Sequence, residues 1–175
     1  LPLTTIGYAA PGAVLGIGIL VPLGIADNWV ADRVLDLTGY DPGLIFTGTA
    51  FAIILAYCVR FFSIAQHTVD GAFGRISPSL PNAAQSLGRN KLQVLLQIYR
   101  PLISTSTATA LLLIFVDCVK ELPATMLLRP FNFETLATRV HVQASLEDLP
   151  NAAPGSILIV VISLCAVFLL ARANK

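Results

Sequence analysis

Four apolar stretches, each long enough to cross a bilayer, constrain this chain more than any other feature. They run over about 6–25, 44–64, 102–119 and 154–171. About 20 residues of helix rise ~30 Å, the thickness of a hydrocarbon core. Lipid offers the backbone no hydrogen-bond partner, so segments of this length are expected to be helical. The fold expected is therefore an all-α, polytopic membrane protein with about four transmembrane helices. Composition agrees, since only 12% of the residues are charged where soluble domains average about 25%. A net charge of +1 with no basic block offers nothing to nucleic acid.

The polar stretches between the spans differ in charge. The first, 26–43, holds Asp27, Asp32, Asp36 and Asp41 against the single Arg33, with Trp29 and Tyr40 as interfacial rings. The central one, 65–101, is cationic: from Arg60 to Arg100 lie Arg60, Arg75, Arg89, Lys91 and Arg100 against Asp70 alone. The third, 122–153, is mixed. With four alternating spans, the central loop shares a face with both chain ends, where Arg172 and Lys175 add charge. The positive-inside rule assigns that face to the cytoplasm and puts 26–43 and 122–153 outside. The chain opens on Leu1 and meets no cation before Arg33, so a piece of a longer protein is expected.

Catalytic chemistry is not expected. No G-x-x-x-x-G-K-[ST] phosphate loop occurs, and no Ser–His or paired-Asp arrangement lies at membrane depth. His67 and His141 fall on opposite faces in this topology and read as solvated loop residues rather than one metal site. Cys58, Cys118 and Cys165, at no ligand spacing, read as small buried hydrophobes. Gly12 and Gly16 form a small-xxx-small pair suited to close helix packing. No cofactor is indicated. Asp117 and Glu121 stand one helical turn apart with Lys120 beside them. Charge is expensive inside a membrane, so either these groups line a polar pathway, or Lys120 pairs with an acid to pin the end of the third span.

The central loop carries the most organised polar sequence. Ser79 is placed to cap a helix opened by Leu80 and Pro81. Ala83, Ala84 and Leu87 then give it a small apolar face, and Gly88 suits a left-handed end. A second run, Leu92, Leu95, Leu96 and Tyr99, has helical spacing and leads to Pro101. Two short helices joined at a glycine predict a compact knob beneath the membrane. Arg89 and Lys91 would meet a partner or anionic lipid, or simply fix topology.

This pattern resembles the cytoplasmic EAA loop in permease subunits of bacterial ABC importers, which reads E-A-A, three residues, G, nine residues, I-x-L-P. Ala83, Ala84, Gly88, Ile98 and Pro101 stand at matching places, while Asn82 replaces the acid and Arg100 the leucine. A wider likeness runs through Gly7-Tyr8-Ala9-Ala10-Pro11-Gly12, Leu55 to Phe61, Ile76 to Leu80, and above all Lys120 to Thr138. Those stretches look like the second half of ferric-iron ABC permeases.

The resemblance implies a transmembrane permease that couples ATP hydrolysis by a separate ATP-binding subunit to ferric-iron uptake across the inner membrane. Its further partners would be a periplasmic iron-binding protein, membrane lipid, and a missing N-terminal half or second permease copy. Asn82, Ala83, Ala84, Gly88, Ile98 and Pro101 would meet the ATPase subunit. Asp117, Lys120 and Glu121 are candidates for the translocation pathway, the carboxylates being hard ligands suited to Fe(III). Arg129, Asn132 and Glu134 are candidates for contact with the binding protein. The alternatives are an ABC permease for thiamine, sulfate or a polyamine, or a non-transporting membrane anchor or assembly subunit.

Overall fold

The computed structural model describes residues 5–173, so Lys175 lies outside the described residues. Among these, helices follow one another without a strand: α1 (Ile6–Ala9), α2 (Gly12–Thr38), α3 (Ala50–Gly74), α4 (Ser79–Ser86), α5 (Lys91–Val94), a π-helical turn (Leu95–Tyr99), α6 (Arg100–Lys120), α7 (Pro123–Leu128), α8 (Leu136–Ser145) and α9 (Leu149–Ala173). Four helical stretches are long and apolar enough to cross a membrane: Gly12–Thr38, Ala50–Gly74, Lys91–Lys120 and Leu149–Arg172.

Helix α3 is the centre of the arrangement, packing against α1, α2, α6 and α7, while α6 also packs on α9 and α8 on α9. The core is small. Leu15, Ala52, Ile53, Ala56 and Leu128 are buried together, with Ile19, Leu20, Leu23 and Tyr57 around them. Ala52 and Ala56 are fully covered because their short side chains let neighbouring backbones approach. Gly16 does the same for α7, since a Cβ there would stand 3.0 Å from Leu127 Cδ1. The outer faces of α6 and α9 carry exposed Leu111, Phe115, Leu164 and Phe168, as helices bathed in lipid do.

Several expected boundaries move. The stretch 26–43 is helical as far as Thr38, and the loop proper is short. The reason is Asp27, fully buried and turned away from water. Its Oδ1 accepts from the backbone N–H groups of Ile45 (2.8 Å) and Phe46 (2.7 Å), and its Oδ2 from that of Thr47 (2.6 Å) and from the Thr47 hydroxyl. One carboxylate thus folds the loop back onto α2, which runs on until Gly39 ends it at φ 70°. The region 122–153 contains α7 and α8 rather than a plain loop, and the last span begins at Leu149. Helix α3 continues to Gly74, which shortens the central loop.

Other expectations are corrected side by side. His67 lies on α3 and His141 on α8, both exposed on helices rather than in loops. Cys58 and Cys165 are exposed and Cys118 partly so; they sit on helix faces turned outward, where an apolar sulfur is at home in lipid.

Candidate functional site

The knob at 79–101 is built from two capping motifs set back to back. Ser79 is the first residue of α4 rather than its cap: Pro78 precedes it, and no side chain caps the helix. The Ser77 and Ser79 hydroxyls instead bond to each other at 2.8 Å. At the far end Gly88 adopts φ 84°. Its N–H bonds to the Gln85 carbonyl (2.9 Å) and that of Arg89 to the Ala84 carbonyl (3.0 Å), a Schellman closure that satisfies two end carbonyls of α4. Nothing stands within 4 Å of where a Gly88 Cβ would be, so backbone conformation and not space selects glycine.

Asn90 starts the next helix at once. Its side chain accepts from Gln93 N at 2.8 Å and Gln93 Oε1 accepts from Asn90 N at 3.0 Å, a reciprocal capping box. The helix does not stop at Pro101. It passes through the π-helical turn and on to Lys120, 30 residues in all. Proline has no N–H and crowds the carbonyl four residues back. Directly before it, Arg100 N–H reaches five residues back to Leu95 O, and this wider turn keeps the helix continuous. The expected pair of short helices is therefore one short helix, α4, and one long rod.

Asn82, Ala83, Gly88 and Pro101 are exposed, while Ala84 and Ile98 are half-buried. Leu87 is 84% exposed and Leu80 49%. Two leucines thus stand exposed on an otherwise polar loop.

A second cluster lies where α6 ends. Lys120 Nζ is 2.8 Å from Asp117 Oδ1, and Arg60 Nε is 3.1 Å from the buried Glu121 Oε2. Tyr8, Arg60, Phe61, Asp117, Lys120 and Glu121 surround a cavity of about 270 Å³. The sequence places Asp117 and Glu121 on one face, and the structure gives each its own cation, leaving the cluster charge-balanced. No group of three or more His, Cys, Asp or Glu able to hold a metal occurs among the described residues. Sequence reasoning missed Arg60, counted with the cationic loop. It lies inside α3, and the available signal was a cation flanked on both sides by apolar residues, which calls for a buried acid.

A third feature follows α7. Arg129 Nη1 stands 3.6 Å from Glu134 Oε1 and donates to the Phe133 carbonyl at 3.4 Å. Between them Phe133 N–H closes a turn onto Pro130 O at 3.3 Å, with Asn132 at φ 59°. Asparagine tolerates this left-handed position better than most residues. The turn lifts Phe131 to 98% exposure beside a cavity of about 710 Å³ bordered by Met126, Leu127 and Glu134. Arg129 and Glu134 thus frame the turn, and Phe131, absent from the sequence-based candidates, is what it presents. The cluster at α6, the knob and this turn remain separate sites.

No family model matches the chain. Curated relatives do. The Fe(3+)-transport system permease protein FbpB 2 of Haemophilus influenzae is 33% identical over 124 residues, 71% of this chain and 24% of that protein. The ferric transport system permease protein FbpB of Actinobacillus pleuropneumoniae is 28% identical over 156 residues, 86% of this chain and 22% of that protein. A putative 2-aminoethylphosphonate transport system permease protein, PhnV, of Salmonella typhimurium is 26% identical over 167 residues, 95% and 56% respectively. The chain spans about a quarter of the ferric relatives' length and just over half of the phosphonate relative's. With its four apolar helices, a chain so related is a multi-pass integral membrane protein.

Proposed function

We propose that this chain, related over most of its length to ferric-transport permease proteins, is part of the transmembrane permease of an ABC importer in a bacterial inner membrane. It takes up ferric iron, driven by ATP hydrolysis in a separate subunit. One observation carries the reading: a short exposed helix, α4, closed at Gly88 by a Schellman turn and followed at once by the Asn90 capping box that opens a 30-residue helix. An element that receives motion must be stiff and must contact its partner tightly. The caps supply stiffness. Asn82, Ala83, Ala84 and Gly88, with Leu80 and Leu87, supply a contact that fits a cleft in the ATPase subunit, while Ile98 lies in the π-helical turn and Pro101 just past it. Arg75, Arg89, Lys91 and Arg100 remain as the cations of this loop, and they support a cytoplasmic location.

Asp117 and Lys120 line the pathway for the solute, and the Arg60–Glu121 pair beside them holds the end of α6 in place. The exposed Phe131 turn, framed by Arg129, Asn132 and Glu134, meets the substrate-delivering protein on the other face. A second reading, uptake of an aminophosphonate, is favoured by the similarity over 95% of the chain to a phosphonate permease and by the cavity's mixed charges, which match a solute bearing both signs.

The test is Leu87→Asp in the full-length protein. Its exposed position leaves folding untouched, and the expected result is normal membrane abundance with loss of co-purifying ATPase subunit and of uptake. Undiminished association and uptake would refute the coupling role. Radiolabelled ferric iron and 2-aminoethylphosphonate, offered in parallel, distinguish the two solutes.

A further inference from the structure

Arg60 joins four segments through one ion pair. Glu121 is the first residue past α6, and its carboxylate is divided: Oε2 faces Arg60 Nε at 3.1 Å, and Oε1 accepts from Ala124 N at 3.3 Å in the first turn of α7. From the other end of the guanidinium, Nη1 donates to Ala10 O at 3.2 Å, a carbonyl in the break between α1 and α2. Gly12, opening α2, is pressed against the same pair: a Cβ there would lie 2.8 Å from Glu121 Oε1 and 3.1 Å from Arg60 Nη1.

Helix α6 packs along α3, but Ala110 is its one buried residue, so small and part-buried side chains make most of that contact. Two polar contacts pin it to α3 at its ends: Arg75 to Ser106 at 2.9 Å toward the knob, and Arg60 to Glu121 at 3.1 Å at the far end. Arg60 Nε makes no directed hydrogen bond despite its short distance to the carboxylate. The guanidinium is held at both ends, by Glu121 Oε2 and by Ala10 O, so displacement of the end of α6 bears on α3 and on the break before α2 together.

We infer that Arg60 is a positioning residue, the pivot through which displacement of the α5–α6 rod passes to α3 and to the break before α2. The inference rests on the reading of α4 as the helix that an ATPase subunit moves. Without the pivot, the rod still receives motion at α4 but slides against α3 instead of carrying the other spans with it.

The experiment uses the full-length permease with its ATPase subunit and loaded binding protein in proteoliposomes, measuring ATP hydrolysis and accumulation of ferric iron or 2-aminoethylphosphonate together. Arg60→Gln and Glu121→Gln are each expected to keep hydrolysis near wild type while solute moved per ATP falls about tenfold or more, within the usual span of inter-site coupling. Arg60→Lys should restore most of it. The double variant Arg60→Met/Glu121→Gln guards against misfolding, since replacing both members of a buried pair is commonly neutral for stability. It should assemble normally and still be uncoupled. Parallel loss of hydrolysis and uptake, or a double variant with wild-type uptake per ATP, would overturn the pivot. Wild-type vesicles that hydrolyse ATP yet accumulate neither solute would overturn the transporter reading beneath it.

Discussion

Gly88 allows conformation and contact to be told apart in one substitution series. Its φ of 84° places it where an L side chain costs roughly 1–2 kcal/mol, and no atom lies within 4 Å of the point a Cβ would occupy. Substitution in the free protein therefore acts through the backbone alone. Helix α4 has only 8 residues, too few to hold itself without its ends. A strain of about 1–2 kcal/mol then shifts the knob from its closed form by a factor of roughly 5–30. Asparagine visits the left-handed region more readily than alanine, and a β-branched residue fits it worst. The expected order of solute uptake, normalised to membrane abundance, is Gly, then Asn, then Ala, then Val. If the partner packs on residue 88 so tightly that volume rather than backbone conformation decides, Ala outperforms Asn. That inversion would refute the conformational argument, and wild-type uptake by Gly88→Val would remove residue 88 from the mechanism altogether.

Three further outcomes are expected. Asp27→Ala strips the partner from three backbone N–H groups and the Thr47 hydroxyl, and should destabilise the fold by about 3–5 kcal/mol, the range for breaking a buried charged network. Asp27→Asn should lose less, because its Oδ1 can still accept from Ile45 and Phe46 while its amide nitrogen cannot accept from Thr47, and thermal unfolding in detergent, followed by Trp29 two residues away, checks both; an unchanged midpoint for Asp27→Ala would refute the clamp. Gly155→Val should separate α8 from α9, since a Cβ there would meet Val140 Cγ2 at 2.6 Å; faster proteolysis within 136–148 is the readout, and wild-type resistance counts against it. Arg89→Cys, whose exposed side chain takes no part in either cap, should react with an impermeant thiol reagent from the cytoplasmic side alone; labelling from outside would invert the topology.

The sequence made some of this legible and hid the rest for definite reasons. Four spans were readable because lipid leaves a long apolar segment one backbone solution. Gly88 was readable as a helix end because a left-handed position favours one residue type so strongly. Asp27 was not, since it looked like one of four acids in an outer loop, and its partners lie 18 to 20 residues further on. Arg60 was hidden in the same way, its acid lying just past the end of α6. Pro101 misled in the opposite sense. Proline normally marks a helix boundary, and only the wider turn before it let the rod run through. At the third site the charged residues drew notice by type, whereas Phe131 became conspicuous only once the turn was seen to hold it in the open.

The π-helical turn at Leu95–Tyr99 has an angular consequence. Bonding five residues back instead of four accommodates one extra residue without adding a turn, and in a helix one residue is worth about 100° of azimuth. The side chains of α5 and of α6 are therefore out of phase, as two gears keyed to one shaft at different angles. The direction in which α4 faces is set by this offset as much as by Gly88. Removing one residue between positions 95 and 99 would straighten the helix and swing the knob round toward the wrong bearing. Helix, caps and apolar face would all survive such a deletion, and only the aim would be lost.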